Sequence, residues 1–196
     1  NYWNPKFKKK FSKKTEPLTF VMVARLIKEK GVYEFCEASK SIKKIYDNAN
    51  FVIVGDLDKA NPNSISDRDY LEMKKQYPVE FMGFQSDVRS ILSKSDIFVL
   101  PTFYGEGLPR VIQEAMAISL PIITTDIEGA RETVTNDFNG LIIKPENVKS
   151  LISACMKYIY DQSLIEKHGK NGRLLAESEF DSLKKAEFIY SYFNKL

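Results

Sequence analysis

One histidine, two cysteines and one tryptophan in 196 residues leave little material for several kinds of chemistry. The cysteines, Cys36 and Cys155, fall on helical patterns among apolar neighbours, and neither has the spacing of a metal site or a redox pair. They read as buried free thiols. His168, the one imidazole, lies in the C-terminal helical region, where it reads as structural, so the chain has no imidazole base of its own to offer a reaction centre. Apolar runs are short as well. None approaches the roughly 18 residues of a membrane-crossing helix. The chain begins with neither methionine nor a signal peptide, and an Asn1 that leads straight into a lysine-rich run is expected to follow a preceding domain.

A basic excess is also lacking where it would matter. The net charge is +3, but Lys6, Lys8, Lys9, Lys10, Lys13 and Lys14 all precede Thr15, and without them the balance changes sign. Nucleic acid is therefore not an expected partner. The lysine tail reads as a solvated linker, with anionic membrane lipid as the alternative contact, which would place the protein in the cytoplasm or peripherally on the inner membrane face.

What is present suits one well-buried domain: 43% hydrophobic and 28% charged side chains in a chain too short for two domains of ordinary size. Short β-rich runs at 18–24, 50–55, 79–82, 96–101, 121–125 and 140–143 alternate with helical periodicity. Six strands separated by helices predict an α/β fold, a doubly wound parallel Rossmann-like sheet. Val32, Phe35, Cys36, Ser39 and Ile42 form one helical stripe, and Val148, Leu151, Ile152, Cys155, Met156 and Ile159 another. Both belong to the core. Residues 56–78 are the least regular stretch, with turn signals from Asn61 to Ser66 before a short helix. The expected organisation is a linker over 1–14, a ligand-binding domain over 15–180, and a final helix over 181–196 whose Phe188, Ile189, Tyr192 and Phe193 would pack on another domain.

The most informative run is Pro101-Thr-Phe-Tyr-Gly-Glu-Gly-Leu-Pro-Arg-Val-Ile-Gln-Glu-Ala-Met-Ala117. A buried strand leads into a loop marked by Gly105 and Gly107, and Pro109 suits the first position of the helix that follows. Glu106 then sits in the loop and Glu114 inside the helix. In an open α/β sheet ligands bind beyond the carboxyl ends of the strands, so both carboxylates approach one crevice. Glu106 could be local electrostatics beside a helix start. Glu114 comes too late in the helix for that and borders a packed stretch, where an unpaired charge is costly. It needs donors, and an ionised carboxylate can accept both hydroxyls of a sugar diol.

The first strand delivers Arg25 and Lys30 to the same crevice through Val23-Ala-Arg-Leu-Ile-Lys-Glu-Lys-Gly31. A diphosphate carries about two to three negative charges. Two cations and the partial positive charge of a helix N-terminus come close to neutralising it without a divalent metal. Two rival motifs fare worse. The dinucleotide fingerprint Gly-x-Gly-x-x-Gly is absent after the first strand, and Asp56-Leu-Asp58 after the second is a weak match to the two-acid metal motif of some sugar transferases, since both acids suit a turn.

With these residues on the page, the chain resembles the C-terminal, donor-binding domain of family 4 glycosyltransferases, retaining bacterial enzymes of the two-domain GT-B architecture. The likeness runs from about Leu18 onward. It includes Ala24-Arg-Leu-Ile-Lys-Glu-Lys-Gly31, Val79-Glu-Phe-Met-Gly-Phe-Gln-Ser-Asp-Val-Arg89, the segment from Glu106 to Ala117, and Pro121-Ile-Ile-Thr-Thr-Asp126 through Asn139-Gly-Leu141. The pattern is closest to enzymes that build lipid-linked oligosaccharides, capsule or exopolysaccharide. The resemblance implies a diphosphate clamp of Arg25 and Lys30, a ribose contact at Glu114 and a donor-sugar contact at Glu106. It further implies main-chain donors at Gly107 and Leu108, a base border at Gly83 and Phe84, and Arg110 within the donor site. The implied ligand is a nucleotide sugar, most often a UDP-sugar, with no cofactor or metal. A lipid-linked saccharide acceptor and a catalytic histidine would come through an N-terminal domain. A noncatalytic nucleotide-sugar-binding subunit and a GT-B epimerase or phosphorylase are the competing readings. One departure stands out: Ser119 occupies a turn position where the family usually has glycine.

Overall fold

The structure, a computed structural model, describes residues 16–105, 107–180 and 190. Glu106, the lysine-rich start, and Phe188, Ile189, Tyr192 and Phe193 of the final segment lie outside the described residues. Six strands are present: β1 (Leu18–Val23), β2 (Ala49–Val54), β3 (Glu80–Phe81), β4 (Ile97–Leu100), β5 (Ile122–Thr125) and β6 (Gly140–Ile143). All five pairings are parallel, in the order β3-β2-β1-β4-β5-β6. The six runs expected from the sequence are these six strands. The expected 79–82 run shortens to two residues, paired with β2 alone at the sheet edge.

Among the described residues six α-helices connect or follow them: α1 (Val32–Ile45), α2 (Asp67–Gln76), α3 (Arg89–Leu92), α4 (Arg110–Ala117), α5 (Val148–Tyr160) and α6 (Ser163–Glu179). Parallel crossovers are right-handed. Those from β1 to β2 and β2 to β3 step one way along the sheet and that from β4 to β5 the other, so α1 and α2 lie on one face and α4 on the opposite face. The contacts agree: α1 packs on α5, and α4 on α6. With both faces covered, the central strands read as apolar runs, and Phe98, Val99, Ile122 and Ile123 are fully buried. Phe20 and Phe51 stack across β1 and β2 at 5.1 Å between ring centroids, and Phe35 of α1 meets Phe51 edge-on at 5.7 Å. Cys36 and Cys155 are free and buried. His168 is fully buried, with its Nδ1 2.9 Å from the Tyr158 hydroxyl, and joins α5 to α6. Among the described residues no helix is long and apolar enough to cross a membrane.

Two local features fix α4, the helix that faces the crevice. Pro109 is its N-cap, with extended backbone at φ −62° and ψ 116°, so Arg110 and not Pro109 is the first helical residue. The proline ring rules out helical conformation for Leu108 before it and sets the start. At the other end, Ser119 N–H donates to Met116 and Leu120 N–H to Ala115, the paired bonds of a Schellman motif. Ser119 holds φ 63°, the left-handed conformation that normally selects glycine. Arg173 of α6 donates to the Ala117 carbonyl and ties this end of α4 to the helix behind it.

Candidate functional site

The strand order places the site before any side chain is considered. β1 is flanked by β2 and β4, and the chain leaves these strands towards opposite faces, which opens a crevice between their carboxyl ends. The loops after β1 and β4 form its rim. They are locked together: Glu29 O accepts from Phe103 N–H at 2.8 Å and from the Thr102 hydroxyl at 3.0 Å. Gly31, at φ 79°, passes so close that a Cβ would stand 2.2 Å from the Pro101 carbonyl oxygen. Lys30 is consequently only 7% exposed, and its Nζ lies 5.1 Å from the centre of the Tyr104 ring, a cation–π contact. Tyr104 was not singled out in the sequence, and only the adjacency of β1 and β4 brings it to Lys30.

Arg25 leaves the end of β1 on the β2 side. Its Nη1 donates to Asp58 Oδ2 at 2.6 Å, with the arginine side chain 56% exposed and the aspartate 21%. Asp56 instead accepts from Leu57 N–H within its own loop at 2.8 Å. The two acids of the Asp56-Leu-Asp58 run therefore serve different partners. Among the described residues no three His, Cys, Asp or Glu side chains converge in metal-binding geometry.

Glu114 projects from the second turn of α4, half-buried, without a hydrogen-bond or ion-pair partner among the described residues. Burial pushes its carboxyl above the ordinary glutamate range, and the nearby Arg110 guanidinium opposes that shift. Gly107 and Leu108 precede the helix on the open side: a Cβ on Gly107 would meet nothing within 4 Å, and Leu108 is 41% exposed. The Gln113 side chain donates to Leu108 O at 3.3 Å. After β3, Gly83 takes φ 68° and accepts from Gly55 N–H at 2.9 Å, and Phe84 beside it is 74% exposed. Glu106 lies outside the described residues. A cavity of about 360 Å³ runs along Thr19, Asn50, Glu80 and Lys94, against α3. Arg25, Lys30 and Glu114 do not line it, so it is distinct from the crevice.

The chain belongs to the family described as glycosyl transferases group 1, matching it over residues 4–175. It is similar to the capsular polysaccharide biosynthesis glycosyltransferase CapM of Staphylococcus aureus, 34% identical over 88% of this chain and 44% of that protein. It is also similar to the N,N'-diacetylbacillosaminyl-diphospho-undecaprenol alpha-1,3-N-acetylgalactosaminyltransferase of Campylobacter jejuni, 38% identical over 77% of this chain and 38% of that one. Among solved structures, Anabaena Alr3699/HepE in complex with UDP superposes with a TM-score of 0.80 at 22% identity, over 92% of this chain and 50% of that one. At that identity the likeness shows the fold, a Rossmann-like half of the GT-B architecture. The chain spans less than half the length of these curated relatives.

Proposed function

We propose that this chain is the C-terminal, donor-binding domain of a retaining glycosyltransferase that moves a hexose or N-acetylhexosamine from a UDP-sugar to a lipid-linked saccharide. The observation that carries the reading is the switch point between β1 and β4 of a glycosyl transferases group 1 domain, where Lys30 from the loop after β1 meets Tyr104 from the loop after β4. Diphosphate departure from the anomeric carbon builds negative charge on the leaving oxygens, and stabilising that charge is what two cations and a helix start can do. Arg25 and Lys30 clamp the diphosphate without a metal. Glu114 accepts the ribose hydroxyls, Gly107 and Leu108 offer main-chain N–H groups, Gly83 and Phe84 border the base, and Arg110 flanks Glu114. Glu106 holds the donor sugar. Support for the donor comes from the UDP complex of the Anabaena neighbour, and support for the acceptor from the diphospho-undecaprenol substrate in the Campylobacter relative's name.

In this reading residues 1–14 link to an N-terminal domain that supplies acceptor and histidine, 15–180 bind donor, and 181–196 pack on that domain, at the cytoplasmic membrane face. The acceptor hydroxyl attacks from the side the diphosphate leaves, so configuration is retained. A transfer assay with product linkage read by NMR tests it. The longer protein should transfer with retention, residues 1–196 alone should be nearly inactive, and Glu106→Ala should lower turnover more than UDP affinity. Robust transfer by the 196-residue chain, or an inverted product, would refute the assignment.

A further inference from the structure

Asp58 has no role in the reading above, yet it holds one of the two proposed clamp cations, with Arg25 Nη1 at 2.6 Å from Oδ2. The loop that carries it is fastened to the β1 loop by main-chain bonds from Leu26 to Asp56 at 2.9 Å, Lys28 to Asn63 at 3.0 Å and Ile65 to Leu26 at 3.0 Å. The last two of these bonds make the antiparallel bridge between Ile27 and Ser64. The carboxylate is thus carried on a loop tied to the β1 loop and is the less exposed member of the pair, 21% against 56% for the guanidinium side chain. An ion pair this open to water contributes little to stability. A guanidinium has five N–H donors, so Arg25 can meet a phosphate while Asp58 keeps its hold.

We propose that Asp58 discriminates by charge, weakening the site for a free nucleoside diphosphate more than for the intact nucleotide sugar, and so favouring release of the spent nucleotide. The inference rests on the donor-site reading. Both phosphates of a nucleotide sugar are esterified, which leaves two charges, whereas the terminal phosphate of a free diphosphate loses a further proton near pH 6 and approaches three. Repulsion from a fixed carboxylate scales with ligand charge and is screened by salt.

Calorimetry on the 196-residue chain with UDP, UDP-N-acetylglucosamine and inorganic diphosphate, at low and high salt, tests this. Asp58→Asn keeps a side-chain acceptor for Arg25 and removes only the charge. It should tighten UDP and inorganic diphosphate about 10-fold and the nucleotide sugar about 5-fold at low salt, with the difference shrinking as salt rises. Asp58→Ser should act in the same direction, with melting curves confirming that both variants fold. Weaker binding of all three ligands would show that Asp58 merely positions Arg25, and equal tightening would remove the discrimination; either overturns the proposal. If the unsubstituted chain bound inorganic diphosphate but not UDP, and Asp58→Asn tightened the former, the charge role would stand and the nucleotide reading would fall.

Discussion

Glu114 carries an unresolved electrostatic cost. Burial raises its carboxyl pKa above the unfolded value, so the group adds to stability at acid pH and loses that contribution as pH rises through the folded pKa. Once ionised, the half-buried side chain is a liability that, in the proposed function, the donors of a ribose diol would relieve. Glu114→Gln should therefore raise the melting temperature slightly at pH 7 while weakening UDP by roughly 1.5–3 kcal/mol and leaving inorganic diphosphate nearly unchanged. Equal loss for both ligands would make the residue part of the phosphate loop instead. The need of Glu114 for a partner was legible from its place beside an apolar run. The partners of the cations were not: Asp58 is 33 residues from Arg25, and only the side-by-side order of β1 and β2 joins them. The cysteines are the buried free thiols expected, and burial pushes the Cys36 thiol up to about 12.

Among the elements, α4 shows where local sequence rules hold and where they are strained. Its proline start was readable, with the boundary shifted by one residue because Pro109 caps the helix instead of entering it. Its end is strained: Ser119 occupies the left-handed position of the Schellman motif at φ 63°. Relief of that conformation, less the extra flexibility glycine gives the unfolded chain, should make Ser119→Gly stabilising by about 0.5–1 kcal/mol. Thermal melting should register a rise of about 2 °C for a chain of this size. A fall would mean that the serine's own contacts outweigh the backbone strain. The strands were legible because a sheet covered on both faces demands apolar runs. The four-residue α3 was not, since it is too short to display a helical period.

At the scale of the molecule, the order β3-β2-β1-β4-β5-β6 makes a crevice, and the loops that follow β1 and β4 form its rim. The alternation of strands and helices announced the sheet, while the proposed anion site rests on the residue types at the strand ends. The identities of donor sugar and acceptor were not legible, and the chain spans less than half the length of the curated relatives it matches. The central claim is that this chain holds a nucleoside diphosphate through its own countercharge. Calorimetry with UDP, with EDTA or with magnesium, is the direct measurement. The account predicts binding in both conditions with similar affinity; loss of binding in EDTA would contradict it and reassign Asp56 and Asp58 to a metal.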